Sequence, residues 1–408
     1  MTEEKVKGFR DFYPEDKRTS NYIFSIWKNI AELYGYEEID LPILELTKLY
    51  NKSGDEIPTQ IYRFKDKKDR DLALRPETTP SVARMVRSKP DLKKPLKWYS
   101  ISQCYRYERL QKGRSREFYQ YNLDYIGSKS MQVDAEVITT LIKILNSCGL
   151  TEKDFYIRIS NRRLINDLFK DLKITNVKEM ARLLDKRCKL TDKTLKQGLK
   201  DLELNEKQIT SVLKLLKTDS LSKIEIKSEG LEELKELFSI FKKYKVEKYI
   251  KLDLSIMRGF DYYTSTVFEA FDKEGDFRAI AGGGRYDDLA GTPGIGYGFG
   301  DIVLETFLKE KNKLPSQANT TNLFIIPIDN LEKCIPIAEQ LRQEGINVSV
   351  DLQEKGISKN LDYADKQSIP YVLIVGENEL SKNKVKFKNM TSGEEKLISV
   401  DKVIKEIE

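Results

Sequence analysis

No histidine occurs anywhere in the 408 residues. That absence excludes an imidazole general base, a phosphohistidine carrier and every metal site that depends on a histidine ligand. Proton transfer and charge stabilisation must therefore run on carboxylates, arginines, tyrosines and added ions. Cysteine is scarce too: Cys104, Cys148, Cys188 and Cys334 lie far apart with no C-x-x-C pair. Neither a zinc knuckle nor a disulfide framework is indicated, and a reducing compartment fits. No apolar run approaches the roughly 20 residues that a membrane helix needs. The opening MTEEKVKGFRDFYPEDKR has no apolar signal core and is too acidic for a transit peptide. The expectation is a cytoplasmic protein with no membrane association. Basic and acidic residues nearly balance, 71 against 65 for a net +6, which permits nucleic-acid binding without requiring it.

A chain of this length is expected to divide into two or three domains. Residues 18–35 carry Ile23, Ile26, Trp27, Ile30 and Leu33 at helical spacing and close on Gly35, which predicts a helix and its stop. YEEIDLPILE alternates until Pro42, the mark of an edge strand or a strand end. From there to about residue 127, IYRFKD, LALRPE, KWYSISQCYRYE and EFYQYNLDYIG predict strands and loops around an antiparallel sheet. Lysine-rich helical patterns at 131–147 and from about 162 to 245 predict an inserted helical domain, and sheet character resumes at Leu252. A polar linker precedes LFIIPI, a helix at 331–344, INVSV, a helix at 358–367 and YVLIVG. This βαβαβ order predicts a small sheet with a parallel core and a hairpin-like tail.

Four clusters can carry chemistry. Arg106-Tyr107-Glu108-Arg109 runs into Gln111-Lys112-Gly113-Arg114-Ser115-Arg116-Glu117. Arg114 and Arg116, at alternate strand positions, are expected to share one face, with Gly113 supplying a hairpin turn. Guanidinium forks aimed from a sheet suit phosphate oxygens; a solvated hairpin tip is the plain alternative. The others are Arg258-Gly259-Phe260-Asp261-Tyr262-Tyr263-Thr264, Gly282-Gly283-Gly284-Arg285-Tyr286-Asp287 and Leu74-Arg75-Pro76-Glu77-Thr78-Thr79. The triple glycine lets a backbone turn sharply or approach a ligand closely. It lacks the spacing of a dinucleotide fingerprint or a P-loop.

In order, GFRDFYPED, LRPETTP, YRYERLQKGRSREFYQ, RGFDYYTSTVFE and AGGGRYDDLAG resemble the histidyl-tRNA synthetase family of class II aminoacyl-tRNA synthetases. ISKNLDYADKQSIPYVLIVGENEL resembles its anticodon-binding domain, so the resemblance spans nearly the whole chain. It implies an α+β fold: a class II antiparallel-sheet catalytic domain with a helical insertion, plus a small α/β anticodon-binding domain. The implied partition is 1–160 for the first part of the catalytic domain with motifs 1 and 2, and 161–248 for the insertion. Residues 249–311 would hold its second part with the motif 3 region, 312–322 the linker and 323–408 the anticodon-binding domain.

The resemblance implies activation of L-histidine by ATP with Mg2+, transfer to tRNA-His, and a homodimer formed through the helix and strand from residue 18 to 42. It assigns Arg106 and Arg258 to the α-phosphate, Glu108 to the adenine side and Arg114 to the terminal phosphates. Glu77, Thr79 and Gln120 fall near the histidine α-amino group. Asp124, Tyr263 and Tyr286 surround the imidazole, with Arg258 also against the substrate, and Arg109, Gln111 and Arg116 meet the tRNA acceptor end.

Some positions depart from the family pattern. GYGFGDIVL places Asp301, Ile302 and Val303 where motif 3 usually carries an ATP-contacting arginine. Asp124 replaces a glutamate, Leu110 a proline and Asp288 a glycine. The main rival is a non-catalytic paralogue that regulates ATP phosphoribosyltransferase in histidine biosynthesis; such paralogues usually lack the C-terminal domain. A class II synthetase for threonine, proline or glycine is disfavoured by RGFDYYT and GGGRYDD. A generic RNA-binding protein that keeps the fold without the chemistry is supported only by the absent motif 3 arginine.

Overall fold

The computed structural model describes residues 4–407 other than 52, 55–56, 186, 188–189, 257–261, 276 and 316–318, with the backbone alone of 178 and 185. It divides into two compact units, Met1–Leu314 and Pro315–Glu408.

The first helix, Pro14–Leu33, starts before the expected residue 18. Pro14 occupies the first helical position, where a missing N–H is no loss. The Asp16 carboxylate accepts from the Tyr13 N–H at 3.2 Å. The first turn carries no apolar periodicity, so spacing alone could not reveal it. The helix buries Ile23, Ile26, Trp27 and Ile30, each stabilising by roughly 1.5–3 kcal/mol on area grounds. Trp27 stacks on Tyr121 of the sheet, ring centroids 5.5 Å apart. Gly35, at φ +75°, takes the chain out.

Eight strands form the sheet of this unit, in the order Glu37–Glu38, Leu96–Tyr105, Glu117–Ile126, Gly294–Gly300, Ala281–Tyr286, Thr266–Asp272, Phe155–Asn161 and Ile250–Leu252. The two outermost pairings are parallel and all those between are antiparallel, as the strand patterns predict. Period-2 alternation divides the faces. Tyr99, Tyr121, Leu123, Tyr297 and Phe299 join the apolar core with Ile23, Trp27, Ile138 and Leu304 of the covering helices, whereas Gln120, Asn122 and Asp124 take the other face.

The expectation of strands and loops between residues 42 and 127 fails at two α-helices among the described residues, the single turn Ile57–Gln60 and Thr79–Ser88. Pro80 leads the longer one, and Val82, Ala83 and Val86 are buried on one side of it. Helices Arg162–Asp171, Val177–Asp185, Asp192–Asp201, Glu206–Leu216 and Glu229–Tyr244 then intervene. The chain returns to the sheet at Ile250–Leu252, beside Phe155–Asn161.

In the second unit the sheet order is Val348–Val350, Leu323–Pro327, Tyr371–Val375, Val385–Asn389 and Glu395–Ile398. The first pairings are parallel and the last two antiparallel, matching the βαβαβ reading with its hairpin. A closing helix, Val400–Ile407, buries Val403 and was not expected. Among the described residues no helix is long and apolar enough to cross a membrane.

Candidate active site

The sheet face opposite the helices holds a trough, and glycine makes it. Gly296, Gly298 and Gly300 pair with Asp124, Asn122 and Gln120. A Cβ at Gly296 would lie 2.3 Å from Asp124 Oδ1, and one at Gly298 would lie 2.5 Å from Gln120 Nε2. The strand is bare because side chains from its neighbours lie across it. Above it opens a cleft of about 1160 Å3, lined by Thr79, Arg106, Glu108, Arg114, Gln120, Tyr263 and Gly282 among others.

The deep end is polar and closed. The Tyr286 hydroxyl donates to Asp124 Oδ1 at 2.9 Å, and that of Tyr262 to Glu77 Oε2 at 2.9 Å. Asn122 Nδ2 donates to Thr79 Oγ1 at 3.2 Å, and Asn122 Oδ1 accepts from Gln120 Nε2. Glu77 and Asp124 are 1% and 2% exposed. Burial pushes the Asp124 carboxyl up to about 7, against the opposing pull of Tyr286 and Asn122. Burial also pushes Glu77 up to about 7, partly offset by Ser53 and the Arg106 charge. Neither carboxyl lines the cleft itself, but Asn122 and Thr79 beside them do; raised carboxyls so close to a cleft mark a place where a ligand's cation or N–H group would favour the ionised form. Tyr286 is held from behind: its neighbour Arg285, 1% exposed, donates from Nε to the buried Asp134 at 3.0 and 3.1 Å and from Nη1 to the Ser128 carbonyl at 2.8 Å.

The other end is cationic. Arg106 Nε donates to the Pro76 carbonyl at 2.8 Å, and its guanidinium lies 5.1 Å from the Phe118 ring centroid. Arg114 pairs with Glu108, and Lys112 with Glu310 at 2.7 Å. Gly113, at φ +75°, makes the expected turn. Arg114 and Arg116 do not share a strand face, because the strand begins only at Glu117. Arg114 lines the cleft, whereas Arg116 lies 4.0 Å over the Tyr107 ring. The cause is the N-terminal segment: the Gly8 carbonyl accepts from the N–H groups of Arg116 and Glu117, both at 3.1 Å, and from Ser115 Oγ at 2.6 Å. Arg109 and Gln111 are exposed on this hairpin. Arg258 lies outside the described residues.

Where the resemblance leads one to expect a motif 3 arginine, Val303 packs beneath the Gly113 turn; a Cβ on Gly113 would lie 3.1 Å from Val303 Cγ2. Asp301, 2% exposed, accepts from the Tyr119 N–H at 3.0 Å and from Arg10 Nη2 at 2.8 Å. Burial raises its pKa to about 6, against the pull of Arg10. Arg10→Ala leaves this carboxylate buried and without its cation, an expected loss of about 2 kcal/mol of stability. The loss should be larger at pH 8 than at pH 5.5, where Asp301 is protonated with or without Arg10. Urea unfolding at both pH values checks this; a loss independent of pH would show that Arg10 acts by packing alone.

Sequence reasoning placed Tyr262 and Arg285 in chemistry-bearing clusters without giving either a role, and missed Asn122 and Arg10. Strand period could have found Asn122, which sits between Gln120 and Asp124. The partnerships of Tyr262 with Glu77 and of Arg10 with Asp301 join segments far apart in the chain and leave no local trace.

Residues 8–298 match the family model described as histidyl-tRNA synthetase, and residues 322–408 match that of an anticodon binding domain. A histidine–tRNA ligase of Leptospira biflexa is 38% identical over 100% of this chain and 98% of its own, and one of Thermoplasma volcanium is 36% identical over 99% and 98%. The crystal structure of histidyl-tRNA synthetase from a Nostoc species superposes with a TM-score of 0.86 at 26% identity, covering 100% of this chain and 99% of that one.

Proposed function

The chain belongs to the histidyl-tRNA synthetase family, and we infer from that membership and from the cleft how it works as a histidine–tRNA ligase. ATP and histidine give histidyl-adenylate and pyrophosphate, and the histidyl group then passes to a ribose hydroxyl at the 3′ end of tRNA, releasing AMP. The observation that carries the assignment of roles is the closeness of two groups: buried Glu77 and Asp124 beside tyrosines and next to the cleft-lining Thr79 and Asn122, and Arg106 with Arg114 in the cleft lining.

Glu77 takes the histidine α-ammonium group with Thr79 and Gln120. Its Oε1 has no hydrogen bond among the described residues, which supports that role. Asp124 accepts an imidazole N–H, with Tyr286 fixing the carboxylate and Tyr263 closing the pocket. A pocket of buried polar groups rejects amino acids that leave those groups unpaired. The histidine carboxylate attacks the α-phosphorus already ionised, so no enzyme base is needed and the absence of histidine is no obstacle. Charge growing on the phosphoryl oxygens is met by Arg106 and, on the family resemblance, by Arg258. Glu108 faces the adenine side and Arg114 the terminal phosphates. An Mg2+ ion bound with ATP would neutralise part of the phosphate charge there. Among the described residues no group of three or more carboxylate or cysteine ligands is gathered to hold an ion, while Glu108 and Glu269 line the cleft.

Arg109, Gln111 and Arg116 meet the tRNA acceptor end, with Gln111 reading the extra 5′ guanosine of tRNA-His. Residues 1–160 and 249–311 form the catalytic domain, with 161–248 as its insertion, and after the linker 312–322 the domain 323–408 reads the anticodon. Two copies pair through the region from residue 18 to 42. Ile43, Leu44 and Phe64, at 45%, 45% and 44% exposure, support an apolar surface beside it. The enzyme works in the cytoplasm.

Amino-acid-dependent ATP–pyrophosphate exchange across the twenty amino acids, without tRNA, tests the reading. Exchange with histidine alone is expected. A folded protein that exchanges with none would be the regulatory paralogue, a reading that the anticodon-domain match at 322–408 disfavours.

A further inference from the structure

The cationic side chains lining the cleft among the described residues are Arg106, Lys112, Arg114, Arg162, Arg182 and Arg278. All but one are engaged. Arg106 donates to the Pro76 carbonyl at 2.8 Å and Arg162 to the Tyr263 carbonyl at 2.8 Å. Arg114 and Lys112 are paired with Glu108 and Glu310, and Arg182 has a partner of its own. Arg278, half-buried, has no hydrogen bond, ion pair or ring contact among the described residues. Withdrawing a cation from water without a counter-charge is unfavourable unless a ligand supplies one.

Its place is fixed from both sides. Phe277 packs on Phe307 of helix Asp301–Glu310, ring centroids 5.5 Å apart, and Lys112 Nζ sits 4.5 Å over its ring. The Phe277 N–H donates to Asp272 Oδ1 at 3.1 Å, and the Ile280 N–H to the Ala270 carbonyl at 2.7 Å. Arg278 thus stands on the wall formed by the hairpin tip and the start of that helix, where the helix itself contributes only Ile302 and Val303 to the cleft. Beyond the α-phosphate that Arg106 meets, the side chain assigned to the terminal phosphates, Arg114, is already shared with Glu108.

We propose that Arg278 binds the β- and γ-phosphates of ATP and steadies the departing pyrophosphate. This rests on the ATP-dependent activation above and adds a residue to it. Arg278→Ala is expected to weaken binding of ATP and of pyrophosphate about tenfold or more, the effect of losing one charge-assisted contact, and to leave AMP and histidine binding unchanged. Arg278→Lys keeps the charge without the fork and should fall between. Calorimetric titration of each ligand into the full chain reads all of these, and intact histidine binding certifies the fold of each variant. ATP binding that is unaffected, or ATP and AMP weakened equally, overturns the proposal. A wild-type protein that binds ATP through Arg278 yet gives no histidine-dependent exchange would sink the functional reading and leave this one standing.

Discussion

Replacing Arg106 by alanine is expected to cut the rate of histidine-dependent ATP–pyrophosphate exchange by about 10²–10³, the size of the loss when one preorganised transition-state donor is removed. Histidine binding should change far less. The expectation rests on how little Arg106 must move to act. Its Nε is held by the Pro76 carbonyl at 2.8 Å, and its face is covered by Phe118. The segment carrying Pro76 is pinned by Arg75, which is 4% exposed and donates from Nε to the Gln103 carbonyl at 2.7 Å. The Nη groups have no protein partner among the described residues, so they are free to meet phosphoryl oxygens as charge develops, with the reorganisation already done in folding. Arg106→Lys should recover part of the rate, because an ammonium keeps the charge but cannot hold the Pro76 carbonyl and the substrate together. Initial rates across ATP concentrations separate the cases: an unchanged kcat with a raised KM for ATP would mean that Arg106 binds the ground state and gives the transition state nothing more.

How far the sequence discloses this site depends on the range of the interaction. EFYQYNLDYIG shows its alternation, so the strand, its two faces and the shared face of Gln120 and Asp124 could be read directly. The glycines at 294–300 could be seen but not understood. Only the register that sets Gly296 against Asp124 and Gly298 against Asn122 shows that they clear a trough. Where a distant segment overrides local pattern, reading fails. Arg114 and Arg116 look like alternate strand residues, yet the Gly8 carbonyl draws the N–H groups of Arg116 and Glu117 to itself and the strand starts later. Thr79–Ser88 is short, follows a strand and opens with Thr-Pro, so its helical side, Val82, Ala83 and Val86, carries too little period to stand out. Val303 illustrates a further limit. The sequence shows that the arginine is gone, and only the structure shows that the side chain there packs against the hairpin turn.

The absence of histidine makes possible a second large effect and a clean way to observe it. Glu77 and Asp124 are each raised by burial to about 7, above the 4.5 and 3.8 of the free side chains. Between about pH 4.5 and 7 the folded, ligand-free protein therefore holds protons that the unfolded chain has lost. The stability contribution of these two groups falls as pH rises through 7. In the proposed roles histidine supplies an ammonium group to Glu77 and a ring N–H to Asp124, favouring both ionised forms, so the rise in Tm produced by saturating histidine should be greater at pH 8 than at pH 6. Asp124→Asn keeps the shape and removes the charge. It should weaken histidine binding by about 10- to 100-fold, the loss of one hydrogen bond to a charged group, and flatten the pH dependence. Because the protein has no imidazole of its own, every imidazole signal in a complex with 15N-labelled histidine belongs to the substrate. Titrated between about pH 5 and 9, the bound ring should show a raised pKa in the wild type, since an ionising Asp124 favours the ring cation; the two titrations are then properties of the pair. In Asp124→Asn the ring pKa should fall back to the free value or below it. A ring titration identical in the two proteins would remove Asp124 from the imidazole and leave Tyr263 and Tyr286 as the groups that recognise it.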